Sequence, residues 1–251
     1  SVLLALALTV GAARSGSVCL DLATVAVEQV QPDAEDESPV ELAWPAPEEW
    51  VQRVARSPLA TARLIRLDDS RVYLDRYWRE EEQVCTDLLR RLEVAPPAVD
   101  HEALERGLTR VFPGETYDEQ RDAVRRAAGQ LTTILTGGPG TGKTTAVAGL
   151  LTLIAAQEEG QTGRPPQIAL CAPTGKASAR LQEAIDQAAA NFADPADRAR
   201  VADLDAMTMH RLLGARGKSN RFRHHRGNRL PHDVIVIDEA SMMPLTMMAR
   251  L

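Results

Sequence analysis

Residues 137–144 read GGPGTGKT. The string fills every fixed position of the pattern GxxxxGK[ST], and its surroundings suit that pattern. A β-rich run, LTTILT (131–136), precedes it. A helical pattern with Val147, Leu150, Leu151 and Ile154 on one stripe follows it. Gly137, Gly138, Pro139, Gly140, Thr141 and Gly142 form a loop that curls so that successive N–H groups face a phosphate chain. The start of the helix adds its positive dipole end. Lys143 supplies a mobile charge for the β- and γ-phosphates, Thr144 offers a hydroxyl to Mg²⁺, and Thr145 completes the turn. The chain has only three lysines against 26 arginines, so composition does not explain a Lys at this position. The stretch reads as a binding loop for a nucleoside triphosphate, ATP with Mg²⁺.

Working outward, DVIVIDEAS (233–241) is an apolar strand that ends in Asp238 and Glu239. An Asp in that place holds Mg²⁺, directly or through water, and an adjacent Glu accepts the proton of an attacking water. Such a pair also suits a helix cap with a first-turn acid, and it is the preceding phosphate loop that favours chemistry. In the other direction, Gln120 stands on the helix TYDEQRDAVRRAAG (116–129), where Thr116 and Glu119 have capping-box spacing. Its carboxamide offers one donor and one acceptor to an adenine edge. QIALCAPT (167–174) is a second buried strand, and GKASARLQEAIDQAAA (175–190) is the helix after it. At that strand's carboxyl end, where open α/β sheets bind ligands, Thr174, Lys176 and Ser178 offer hydroxyls, charge and N–H groups to a phosphodiester backbone. A plain helix cap explains Thr174 equally well. Strand–helix–strand alternation predicts an α/β domain with a parallel sheet, and DVIVID, apolar on both faces, reads as a central strand.

The 251 residues suffice for one large or two ordinary domains, with the 44% hydrophobic and 25% charged residues of a globular chain. Cys19, Cys85 and Cys171 are far apart and form no metal or disulfide framework, which fits a reducing cytoplasm. No run approaches the length of a membrane span. The opening SVLLALALTVGAARSGS reads as a buried helix rather than a secretion signal, because no basic segment precedes its apolar run. Net charge is −6, but Ser15–Gln52 holds nine acids and no Lys or Arg. Ala206–His232 holds seven Lys or Arg, four of the five histidines and no acid. Separate faces for separate partners follow, with Phe222 and His224 as possible stacking groups in the basic tract. His224 and His225 lack a third metal ligand.

Gln31–Trp50 is Pro-rich and acidic and reads as an exposed linker. ARLIRLDDSRVYLDRYW reads as a β-hairpin, Leu64–Leu67 and Val72–Leu74 around an Asp-Asp-Ser turn. A charged helix is predicted over 76–92. Leu104, Leu108, Val111 and Phe112 then share one face of another helix.

Taken together, GGPGTGKTT, APTGKASARL, TMHRLLG and DVIVIDEASM resemble motifs I and Ia, a further DNA-contact motif, and motif II of the RecD family, the alpha subunits of RecBCD-type exonuclease V. EQRDAV resembles that family's adenine-reading segment. RVYLDRYW and VFP resemble its amino-terminal region. The resemblance is specific over Gly137–Met242 and weaker before Thr116. It implies a P-loop NTPase with a RecA-like parallel sheet over 116–251, incomplete here. A smaller, mostly helical, partner-docking domain with a β-hairpin would occupy 1–115. It further implies a superfamily 1B helicase moving 5′ to 3′ on single-stranded DNA from duplex ends. Such a motor works beside RecB- and RecC-like subunits in recombinational double-strand break repair. By the same resemblance Gln120 reads adenine, and Lys143 and Thr144 hold phosphate and Mg²⁺. Asp238 and Glu239 hold Mg²⁺ and orient water, and Thr174, Lys176, Thr208 and His210 line the DNA track.

The family pattern also implies motifs III to VI, a second RecA-like domain and an arginine finger after Leu251. With them would come a strand between LTTILT and DVIVID. The 251 residues alone are therefore expected to show no helicase activity and at most feeble ATPase activity. Two other readings stay open: a stand-alone RecD-like helicase, and a nucleotide-binding assembly subunit that does not translocate. A small-molecule kinase fits worst, given Glu239 and the basic tract.

Overall fold

The computed structural model describes residues 1–28, 43–215 and 222–251. The chain divides into two compact units, Ser1–Cys85 with Pro244–Ala249, and Thr86–Met243 with Arg250–Leu251.

The first unit opens with α1 (Val2–Arg14), β1 (Cys19–Asp21), α2 (Val25–Glu28), α3 (Pro47–Ala55) and α4 (Pro58–Thr61). β2 (Ile65–Asp68), β3 (Arg71–Leu74) and the first half of α5 (Asp75–Glu93) follow. β2 and β3 form the predicted antiparallel hairpin, and Asp69 takes the left-handed turn conformation at φ +51°. β1, which periodicity did not announce, pairs with the other side of β3 and sets Cys19 opposite Tyr73. Trp50 sits in this unit's core, its indole N–H donating to the Ser1 carbonyl at 2.9 Å. That corrects the linker reading at its carboxyl end. Pro47 occupies the first turn of α3, with Glu48 and Glu49 favouring its positive end. Residues 31–42 of the same stretch lie outside the described residues.

The second unit continues with α6 (His101–Val111), α7 (Asp118–Ala128), α8 (Lys143–Thr162), β4 (Ile168–Ala172) and α9 (Gly175–Ala190). α10 (Pro195–Ala202), β5 (Ala206–Thr208), α11 (Met209–Leu212) and β6 (Val234–Ile237) complete it, and α12 (Leu245–Met248) belongs to the first unit. The sheet is parallel, in the order β5-β4-β6, and α9 and α10 lie between β4 and β5 in the chain, as a parallel pair requires. Leu104, Leu108, Val111 and Phe112 are all buried, as their spacing on α6 predicts. The single stripe expected on α8 is too narrow. α8 packs against α6, α7, α9 and α10, and it buries Ala146, Ala148, Thr152, Leu153 and Ala155 besides Leu151.

Three local expectations change. LTTILT is irregular rather than a strand, and Ile134 is 86% exposed. A β-run holds its form only when a neighbour takes up its N–H and C=O groups, and no strand among the described residues pairs with it. For the same reason DVIVID is an edge strand with one neighbour, half-buried along its length, rather than a central one. The capping box also fails. Thr116 lies within a 3₁₀ turn, Glu115–Tyr117, and α7 starts after Tyr117 without a side-chain cap.

Candidate nucleotide site and nucleic-acid face

Two of the glycines in the 137–145 loop, Gly140 and Gly142, sit at φ +75° and +78°, the left-handed region that side chains disfavour. A Cβ on Gly142 would stand 2.6 Å from Gln120 Nε2, and one on Gly137 would stand 2.8 Å from Thr141 Oγ1. The loop thus folds over itself, with the Thr141 hydroxyl donating to the Gly138 carbonyl at 3.0 Å. Lys143 opens α8 and curls its ammonium back to the carbonyls of Gly137 and Gly138, both at 2.7 Å. The carbonyls hold the charge inside the loop's concavity, and a phosphate oxygen entering there would meet it. Gln120, on α7, donates from Nε2 to the Thr141 carbonyl at 2.8 Å. Its Oε1 is buried and has no partner among the described residues.

Gly140–Thr145 line one wall of a cleft of about 410 Å³. The opposite wall comes from α9 through Gln187 and Asn191. These two residues were not singled out in the sequence. Their spacing of four puts them on one helix face, yet only the packing of α8 on α9 brings that face to the loop.

Asp238 and Glu239 stand at the carboxyl end of β6, where the Asp238 N–H bonds the Cys171 carbonyl at 2.9 Å. Glu239 is exposed, at φ +51°, and starts a 3₁₀ turn over Ala240–Met242. Neither lines the cleft, and no hydrogen bond or ion pair among the described residues joins them to the loop. The structure joins Gln120 to the loop by that bond, and it sets Asp238 and Glu239 after β6, the strand beside β4. No group of three or more His, Cys, Asp or Glu among the described residues is placed to hold a metal. The oxygen donors present, the Thr144 hydroxyl and the Asp238 carboxylate, suit Mg²⁺ in kind.

The residues expected to meet DNA gather at the carboxyl ends of neighbouring strands, since Ala172 pairs with Thr208 and Cys171 with Ile237. Thr174 caps α9 by accepting from the Ala177 N–H at 3.2 Å, and Thr208 caps α11 by accepting from the Arg211 N–H at 3.3 Å. Both hydroxyl protons remain available to a phosphate. Lys176 and His210 are exposed, and the His210 ring lies 6.1 Å from that of Phe222. Ser178 differs. It is buried, and its hydroxyl donates to the Gly175 carbonyl at 3.0 Å, which removes it from the exposed row. His224 Nδ1 faces the carbonyls of Asn228 and Arg229 rather than a metal. Arg223 and Arg226 are exposed, whereas residues 216–221 of the basic tract lie outside the described residues. Burial pushes the Cys171 thiol, beneath this edge, up to about 12, which leaves it neutral packing.

Two family models match the chain. Residues 120–251 match the AAA domain model, and residues 1–73 match the model of the RecBCD enzyme subunit RecD, N-terminal domain. The whole chain is 51% identical over 254 residues to the RecBCD enzyme subunit RecD of Mycolicibacterium smegmatis, covering 43% of that protein. It is 53% identical over 253 residues to the same subunit of Mycobacterium tuberculosis (strain H37Rv), covering 41% of it. An ATP-dependent RecD2 DNA helicase of Deinococcus radiodurans is 32% identical over 195 residues, 78% of this chain and 24% of that one. The chain thus spans less than half the length of these curated relatives.

Proposed function

The chain belongs to the RecD family, and from that premise we propose that it supplies the nucleotide-binding half of an ATP-driven DNA helicase subunit. The observation that carries this reading is the loop at 137–145 gripped by Gln120 from α7, with Lys143 drawn into its concavity. The glycine cradle, the curled ammonium and the buried, unpaired Gln120 oxygen are the features a nucleoside triphosphate would satisfy.

In this reading Lys143 and the loop N–H groups neutralise the β- and γ-phosphates, and Gln120 meets the adenine edge. Thr144 and Asp238 would hold Mg²⁺, which supplies charge neutralisation at the phosphates. Glu239 orients and deprotonates the attacking water. Thr174, Lys176, Thr208 and His210 follow the backbone of single-stranded DNA drawn from a duplex end. The motor runs 5′ to 3′ in double-strand break repair in the cytoplasm, beside RecB- and RecC-like subunits. The first 115 residues form the docking domain and residues 116–251 the first motor domain. No helix among the described residues is long and apolar enough to cross a membrane.

The test uses the intact protein with its partner subunits. DNA-stimulated ATP hydrolysis should fall at least about a hundredfold in Lys143→Ala, which removes the cation that neutralises the transferred phosphate. Turnover at the wild-type rate would sink the proposal. A helicase active without co-purifying subunits would instead favour a stand-alone motor.

A further inference from the structure

The guanidinium of Arg121 holds together the corner between α6 and α7. Its Nη1 donates to the Phe112 carbonyl at 2.6 Å and to the Gly114 carbonyl at 2.8 Å, while Nη2 pairs with Asp118. Phe112 ends α6 with non-helical backbone, and Gly114 takes φ +83°. A helix leaves its last carbonyls without internal partners, and here a side chain from the next helix supplies one. α7 has no side-chain cap of its own at Tyr117. Arg121 therefore ties the start of α7 to the end of α6. The Phe112 ring is fully buried against α8 at Gly149, which anchors the corner to the helix that begins at Lys143.

Gln120 is the neighbouring residue on α7. With Nε2 committed to the Thr141 carbonyl, its Oε1 is left as an acceptor of fixed direction. Adenine presents a donor, its N6 amino group, to such an acceptor, whereas guanine presents the O6 acceptor and would leave two acceptors facing each other. Selectivity then depends on how firmly the amide is aimed, and the aim depends on where α7 starts.

We infer that Arg121 is a positioning residue for base selectivity: by clamping the Phe112–Asp118 corner it sets the direction in which Gln120 offers its oxygen to the nucleobase. The inference rests on the reading that Gln120 meets the base. It adds Arg121 as the residue that holds Gln120 in place.

The test measures binding of ATP, GTP and inorganic tripolyphosphate to the intact protein and to Arg121→Ala, Arg121→Lys and Gln120→Ala. In Arg121→Ala the preference for ATP over GTP should shrink on the order of fivefold, the worth of one hydrogen bond. Tripolyphosphate, which has no base, should bind as before. Arg121→Lys keeps the charge without the two-carbonyl fork and should restore part of the preference. An unchanged preference in an Arg121→Ala protein that still binds tripolyphosphate overturns the inference. Should that variant lose tripolyphosphate binding, Arg121→Lys decides: full preference overturns the inference, and an intermediate preference upholds it. If Gln120→Ala lowers the preference and neither Arg121 variant does, the positioning role alone falls. If Gln120→Ala leaves the preference intact, the base reading falls and the inference falls with it.

Discussion

Arg110 on α6 grips Asp197 on α10 at two points, Nε to Oδ2 at 2.5 Å and Nη2 to Oδ1 at 2.8 Å. Asp197 is 1% exposed and also receives Arg200 at 2.7 Å, and Arg200 reaches Glu159 on α8 at 2.9 Å. One buried carboxylate thus ties three helices around the domain core. Taking one partner from a buried pair strands the rest without its counter-charge. Asp197→Ala should lower the stability of the second unit by about 3 kcal/mol, read by denaturant unfolding followed in the far ultraviolet. A variant as stable as the parent would show that solvent replaces the pair at no cost.

Gly149 and Gly107 separate rigid from yielding neighbours. A Cβ at Gly149 would fall 2.1 Å from the Phe112 ring, which is itself fully buried. A Cβ at Gly107 would fall 2.5 Å from one terminal methyl of Leu153, which can rotate. Gly149→Ala should cost about 2 kcal/mol through overpacking, and Gly107→Ala clearly less. Thermal melts of the two variants that came out in the reverse order would refute this account of the α6–α8 contact.

Acid should loosen the first unit through Asp75. Hydrogen bonding from Arg66, at 2.8 Å, and the charge of Arg79 hold its carboxyl below the ordinary value of 3.8. A carboxyl with a depressed folded value stabilises fully above its unfolded value and loses that contribution as pH falls through the folded one. Stability should therefore decline as pH drops below about 4, and Asp75→Asn should flatten that decline while weakening the unit at neutral pH. All three tryptophans lie in this unit, so their fluorescence reports it. An identical acid profile in Asp75→Asn would count against the linkage.

Backbone amides at 131–136 should exchange with solvent at rates near those of an unstructured chain, whereas those of β4 and α8 should be protected. Hydrogen exchange of the 251-residue chain resolves the two groups. Strong protection at Ile134 and Leu135 would mean that the run has found a strand partner.

Several parts of this picture were legible in the linear order of residues. The phosphate loop was, because glycines, Lys143 and the start of α8 act within a few residues of one another. The hairpin was, because a left-handed Asp69 and two alternating runs need only each other. α6 followed from the helical spacing of its apolar residues. The misreadings share a cause. Composition alone makes LTTILT a strand and DVIVID a central one, but a strand's state depends on its neighbours. The prolines and acids around Trp50 read as a linker, although its own ring is core. Ser178 has the residue type of a phosphate contact, but the first turn of α9 claims its hydroxyl.

What the sequence by itself determined is the chemistry: a triphosphate loop, an amide beside it, and an acid pair at a strand end. Those depend on residue type and on backbone bends that glycine permits locally. Only the tertiary structure decided which groups meet. It joined Gln120 to Thr141 across 21 residues, brought α9 to the cleft, and spread the Asp197 pairs over three helices. Such meetings are settled by packing and by hydrogen-bond partners supplied from a distance, which no local pattern encodes.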